Sequence, residues 1–252
     1  MPETLDPARH VKPFVYETLT NKALHFSIAE IQSRMRLSDP FALDLEYTRT
    51  MMGFLLFQPD PRQIAMIGLG GGSLAKFCHR YLPDACIEVV EINPHVIALR
   101  EQFHVPPDDA RLRVLHGDGA KYVRDSAARV DVLVVDGFDS DGLPGQLCSQ
   151  RFYDDCFDML APGGVMVVNL HYGHLHYQRH LDRIQRSFDA AVLVVDDGEL
   201  SNSIVFAGKG GALDRVAPGL VRRPSGLARG AADQLLGAFA QVSRALKDRG
   251  TP

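Results

Sequence analysis

Carboxylates crowd one short stretch of the chain: "VVDGFDSDG" places Asp136, Asp139 and Asp141 within six residues. At the mouth of a cleft such a group repels itself unless a cation, an ammonium group or a metal neutralises it. Asp, Gly and Ser also favour turns, and Asp141-Gly142 reads as one. Asp136 closes an apolar run at a strand terminus, which makes it the better functional candidate of the three. Upstream, "AMIGLGGGSLAKF" sets Gly68, Gly70, Gly71 and Gly72 just behind another apolar run. A loop that bare lets a ligand approach the backbone closely, or simply permits a tight turn. Glu91 closes "CIEVVE" about twenty positions later, where a strand-end carboxylate can accept hydrogen bonds from ribose hydroxyls. The alternative for Glu91 is a helix cap beside Asn93-Pro94. Asp118, followed by Gly119 in "LHGDGA", can meet an adenine amino group or cap a helix, two roles that can coexist. Together the loop, Glu91 and Asp118 predict adenosine binding at the carboxyl edge of a sheet.

These residues need a frame. From Gln63 the runs "QIAMIGL", "CIEVVEI", "LRVLHGD", "VDVLVVDG" and "GVMVVNLHY" alternate with helix-like segments at 73–82, 93–103, 119–128 and 149–160. Strands that are apolar throughout and joined by helices indicate a parallel sheet covered on both faces. After a helix near 174–188, "AAVLVVDD" and "NSIVFAGKG" form a terminal hairpin. A last strand running antiparallel marks the class I methyltransferase-like version of the doubly wound fold. Ahead of this frame, "FVYETL", "ALHFSIAE" and "IQSRMRL" alternate as a small antiparallel sheet, with Thr20-Asn21-Lys22 as a hairpin turn. Residues 1–12 read as a loose arm. "DPFALDLEYTRTMMGFLLF" reads as a helix with Asp39 or Asp44 near its start. The fold class is therefore α/β: a Rossmann-like, class I methyltransferase-like doubly wound sheet with a small N-terminal antiparallel β-domain. The divisions are 1–40 for arm and β-domain, 41–210 for the adenosyl-binding domain, and 211–252 for a linker and a helix at 231–247. That helix carries Leu235, Leu236, Phe239, Val242 and Leu246 on one side, a stripe that packs on the domain or on a second subunit.

Composition sets limits. The 252 residues carry 27 basic and 31 acidic side chains, a net charge of −4, which lacks the basic footprint of a nucleic-acid binder. Cys78, Cys86, Cys148 and Cys156 form no C-x-x-C pair and read as reduced, mostly buried thiols. No stretch approaches the roughly twenty apolar residues of a membrane span, and "MPETLDPARHVKP" lacks a signal core. The expectation is a cytoplasmic enzyme, assembled as a homodimer, with no nucleic-acid or membrane partner.

The ordered motifs "IGLGGGSL", "VVEINPHVI", "HGDGAKYV", "VDVLVVDGFD" and "FYDDCFDMLAPGGVMVVN" resemble those of the spermidine/spermine synthases, the polyamine aminopropyltransferases, over residues 14–210. The resemblance implies that Glu91 binds ribose, that Asp118 and Gly119 meet the adenine, and that Gly68, Gly70, Gly71 and Gly72 floor the co-substrate site. Gln32 in "IQSRM" reaches over the co-substrate from the β-domain, and Tyr47 in "LEYTR" orients the amine. Asp136 and Asp139 match the two aspartates of an acidic motif that reads approximately Asp-Ser-x-Asp-Pro, although Gly137, Phe138 and Ser140 replace its neighbours. The implied reaction has an amine attack the carbon next to the sulfonium of decarboxylated S-adenosylmethionine and expel 5′-methylthioadenosine. Asp136 serves as general base and Asp139 holds the distal cationic end; no metal is required.

Two departures from that pattern bear on the substrate. Gly71 stands where the family keeps an aspartate against the cationic aminopropyl chain. A Pro-Thr-Tyr-type segment is replaced by "DDGELSNS", whose Asp196, Asp197 and Glu199 read as surface turn. A methyltransferase using S-adenosylmethionine is the first alternative: Gly71 would leave room for the methionine carboxylate, and Asp136 with Asn169 would act as base or metal ligand. A catalytically silent nucleotide-binding homologue is the second, since a fold does not establish a function. His176 and His180, four apart, could face one metal, yet no third ligand completes a known spacing; they read as packing or solvent-facing histidines. His171, just past the fifth strand, is placed to touch substrate.

Overall fold

Each apolar run from Gln63 onward divides its side chains between two layers. In β4 (Gln63–Ile67), Ile64 and Met66 enter one hydrophobic cluster and Ala65 and Ile67 the other, the period of two that a strand imposes. The computed structural model describes residues 5–27, 31–137, 144–196, 202–216 and 226–249. Strand β4 pairs in parallel with β5 (Cys86–Glu91) and β7 (Val130–Val135); β5 pairs with β6 (Leu112–His116), and β7 with β8 (Leu160–His171). The terminal hairpin inserts β10 (Asn202–Gly208) antiparallel between β8 and β9 (Val192–Asp196). The sheet order is β6-β5-β4-β7-β8-β10-β9. The chain leaves β4 toward one edge and returns to β7 on its other side, so the carboxyl ends of β4 and β7 flank the topological switch point.

Helices cover both faces. One layer holds α1 (Glu46–Met51), α2 (Phe54–Phe57), α3 (Ser73–Tyr81) and α8 (Arg229–Arg249), which contribute Met51, Phe54, Phe77 and Phe239 to its core. The other holds α5 (Gly119–Asp125), α6 (Gln150–Met159) and α7 (Tyr177–Ser187), with Val123, Phe152 and Ile184 inward. The apolar stripe of α8 therefore packs on its own sheet layer. Among the described residues all four cysteines are free; Cys78, Cys148 and Cys156 are buried, and burial pushes their thiols up.

The small sheet is β1 (Phe14–Glu17), β2 (Asn21–His25) and β3 (Ile31–Arg36), antiparallel in that order. Its first turn begins earlier than predicted. Thr18 Oγ1 accepts from the Thr20 and Asn21 amides, and Asn21 and Lys22 already belong to β2. Asp44 does not cap α1, whose N-terminal position is Leu45 with no side-chain cap. It binds Arg34 and Arg36 of β3 instead. Burial pushes its carboxyl up, but the two guanidiniums outweigh that and hold it below the ordinary value. The helical run after it breaks at Gly53, where a Cβ would lie 2.8 Å from both the Thr50 carbonyl and the Val242 side chain. Nor is the N-terminal arm loose over its described part. Asn93 Nδ2 donates to the Val11 carbonyl at 2.9 Å, and His95 Nε2 meets the Pro7 carbonyl at 3.2 Å.

The helix predicted over 93–103 is regular only through α4 (Pro94–Ile97), followed by turns. Lys76, 1% exposed, reaches from α3 to the Phe103 carbonyl at 2.7 Å and ties that segment down. Burial lowers the Lys76 pKa from 10.5 to about 8. The folded chain thus holds this proton less tightly than the unfolded chain, and stability gains as the pH rises from the folded value toward the unfolded one. Denaturation of Lys76→Met beside the parent should show their stability difference moving in the parent's favour across that window. A difference independent of pH would mean that the amine is not held low.

Candidate active site

The glycine loop is wedged between two strand ends. Gly68 donates its amide to the Val90 carbonyl at 2.9 Å, and the Asp136 amide donates to the Ile67 carbonyl at 2.9 Å. Gly68 sits at φ +96°, and a Cβ there would lie 2.2 Å from the Asp136 carbonyl oxygen. The switch point is too narrow for any side chain at this position. Gly72, at φ +67°, leads into α3, and a Cβ there would lie 2.3 Å from Val105 Cγ2.

A cleft of about 1040 Å³ opens over this loop. Gln32 and Tyr47 line it from β3 and α1, and Gly68 and Gly70 from the loop. Glu91, Asp118, Gly119 and Asp136 line it from the ends of β5, β6 and β7. Eight residues singled out from sequence thus meet on one surface. Gly71 and Gly72 are buried and do not line the cleft. Asp139 lies outside the described residues, as do Asp141, Asp197 and Glu199.

The three strand-end carboxylates differ in what they hold. Glu91 is buried: its Oε2 accepts from the Leu69 amide and its Oε1 from the Asn93 amide, both at 2.8 Å. Burial raises its pKa, opposed by those amide donors. Glu91 therefore clamps the glycine loop, and the cap of α4 is Asn93, whose Oδ1 accepts from the His95 amide. Asp118 does cap its helix, with Oδ1 accepting from Ala120 at 2.9 Å and Lys121 at 3.2 Å.

Asp136 is half-buried and bonded only to neutral groups. Asn169 Nδ2 donates to its Oδ1 at 3.0 Å, and the Tyr47 hydroxyl bonds to the same carboxyl group. Desolvation raises the Asp136 pKa, and these two donors pull it back only in part. Tyr47 is itself pushed well up by burial and by the Asp136 charge, so it stays a neutral phenol. Its hydroxyl also donates to the Gln32 carbonyl at 3.4 Å, a weaker acceptor than a carboxylate. No cation among the described residues compensates Asp136. Such a carboxylate can accept a proton from an ammonium group or hold a cationic ligand.

His171 also lines the cleft, at the end of β8. His176 and His180 gather with His174, at ring-centroid separations of 5.5, 6.0 and 6.4 Å. His180 is lowered to about 4 by burial and by its His174 and Arg183 neighbours. Among the described residues no three His, Cys, Asp or Glu side chains are arranged to hold a metal. Two contributors carried no sequence signal. Val11 brings the arm to the cleft wall, and Ser33 faces loop residue Ser73, forty positions away.

Comparison with known proteins places these features. A family model described as the spermine/spermidine synthase domain matches residues 44–195. A polyamine aminopropyltransferase of Chromobacterium violaceum is 41% identical over 187 residues, 74% of this chain and 72% of that protein. A probable spermidine synthase from Corynebacterium glutamicum superposes with a TM-score of 0.69 at 20% identity, covering 94% of this chain and 90% of its own. Human methyltransferase-like protein 13, solved in complex with SAH, gives 0.60 at 24% identity over 82% of this chain and 94% of its own. At these identities the two structures speak for the fold alone.

Proposed function

The chain belongs to the spermine/spermidine synthase family, and from that footing we propose that it moves an aminopropyl group from decarboxylated S-adenosylmethionine to an amine, releasing 5′-methylthioadenosine. The observation that carries this reading is Asp136: a half-buried carboxylate at the switch point, beside the glycine loop, whose partners among the described residues are the neutral Asn169 and Tyr47. The acceptor nitrogen attacks the propyl carbon bonded to the sulfonium. The new C–N bond forms as the C–S bond breaks, and the electron pair returns to sulfur as a neutral thioether. The proton that the nitrogen must lose passes to Asp136. Because the sulfonium already leaves readily, alignment and a neutral amine are the main demands on the protein. Glu91 and Asp118 take the nucleoside, while Tyr47 and Asn169 orient Asp136.

Thermal stabilisation of the full chain tests the reading. Decarboxylated S-adenosylmethionine and 5′-methylthioadenosine should both raise the melting temperature, by the equivalent of about 2.7 kcal/mol at a hundredfold excess over Kd. Strong preference for the carboxylated form would favour methyl transfer, a reading kept open by the lack of any acidic residue in the first turn of α3. Indifference to all three nucleosides would favour a silent homologue.

The proposed partner is a small amine. Among the described residues no helix is long and apolar enough to cross a membrane. Assembly as a homodimer in the cytoplasm completes the reading. The homodimer is supported by the exposed apolar face of the small sheet, where Phe14, Tyr16 and Ile31 are 44%, 62% and 45% accessible.

A further inference from the structure

The space in front of Gly71 is already filled. A Cβ built on it would lie 2.6 Å from Ser33 Oγ and 3.0 Å from both Ser33 Cβ and Phe103 Cδ1. At neighbouring Gly70 the nearest atom to a built Cβ is Ser33 Cβ, 3.8 Å away, so Ser33 crowds position 71 and leaves position 70 open. Ser33 arrives from β3, in the other sheet, and stands where a side chain at 71 would project. It is 6% exposed and Ser73 is 9% exposed, yet both reach the cleft. Their hydroxyl oxygens are 3.4 Å apart, long for an O–H···O bond. A hydroxyl has one donor and two lone pairs, so this pair keeps unused acceptor capacity.

Charge around this corner is already committed. The first turn of α3 has no acidic residue. Glu91 is bonded to backbone amides, Asp118 to the start of α5, and Asp44 to two arginines. Behind Gly71, the Phe103 carbonyl is taken by the Lys76 ammonium. Among the described residues, the two serine oxygens are polar atoms at the loop that keep acceptor capacity for the end of a co-substrate tail.

We infer that Ser33, backed by Ser73, receives the terminal ammonium of the aminopropyl chain, and that Ser33 and Gly71 form a matched pair setting co-substrate choice. This rests on the aminopropyl reading above and names its specificity determinant. A hydroxyl holds an ammonium group less strongly than a carboxylate does, and it can also donate to a carboxylate. The parent protein should therefore distinguish decarboxylated from ordinary S-adenosylmethionine only weakly.

Isothermal titration with both forms, and with 5′-methylthioadenosine as the tail-free control, separates the possibilities. Ser33→Ala should weaken the decarboxylated form about tenfold, the worth of one hydrogen bond to a charged group, and leave methylthioadenosine within about twofold. Gly71→Asp alone should weaken all three ligands, because the new Cβ displaces Ser33 and the loop. Ser33→Gly combined with Gly71→Asp should bind again and prefer the decarboxylated form by about tenfold or more. Equal losses for methylthioadenosine and the tailed ligand in Ser33→Ala would make the serine a packing residue and overturn the inference; so would no loss at all, or a gained preference in Gly71→Asp alone. If the double variant does not fold, the Ser33→Ala comparison decides. A parent protein that binds none of the three nucleosides would overturn the aminopropyl reading itself, and the pair with it.

Discussion

Asp136→Asn should lower turnover by roughly 10²- to 10⁴-fold, the range for a lost general base, while the co-substrate dissociation constant moves less than about threefold. The substitution keeps the shape of the side chain and an oxygen that can accept from Asn169 Nδ2, now 3.0 Å away. It removes the site that takes the amine proton. Parent turnover should fall as the pH drops through the Asp136 pKa, because only the ionised form accepts a proton. That limb lies above the ordinary aspartate value, since desolvation raises the group. In the variant the limb should vanish from the pH profile of the residual rate. Unchanged turnover would remove Asp136 from the mechanism.

Glu91→Ala should carry two separable losses. Affinity for 5′-methylthioadenosine should fall by about 1.5–3 kcal/mol, the worth of hydrogen bonds to a charged group. The fold should also weaken, because the Leu69 and Asn93 amides lose their acceptors at a buried site, at about 1–3 kcal/mol for each donor left unpaired. Glu91→Gln, with one acceptor oxygen in place of two, should fall between parent and alanine in urea denaturation. Titration of the stable variants reads the binding loss by itself. Nucleoside affinity within error of the parent would place the ribose away from Glu91.

The sheet could be read from the sequence because its central strands β4, β7 and β8 are mostly buried on both faces and show as apolar runs, with helices separating the parallel strands. Edge strand β6, exposed at Arg113 and His116, is weaker in pattern. Strand ends could be read as well, since Asp118 and Asp136 each follow such a run directly. What escaped were contacts between segments far apart in the chain. Asp44 fits the local pattern of a helix cap, but two arginines of β3 compete for it and win. Glu91 was legible as a strand-end carboxylate and does line the cleft, whereas its grip on Leu69, 22 positions away, leaves no local pattern. The arm is held through the Pro7 and Val11 carbonyls, atoms that every residue has and no composition reveals. The segment after α4 turns where helical spacing alone would have let the helix run on, and its Phe103 carbonyl is held by Lys76 of α3, a contact no local pattern reveals.

The contact between Ser33 and Gly71 also constrains how such a site can change by descent. With a serine hydroxyl 2.6 Å from where the new Cβ must go, an acidic residue entering at 71 displaces Ser33 as it arrives. The less strained route lets residue 33 shrink first, at the cost of its own polar contact, before residue 71 grows. The reverse path has its own order: the loop must lose its side chain before a serine can enter from the small sheet. Mutational order is thereby written into the packing, and the two positions should be inherited as a unit.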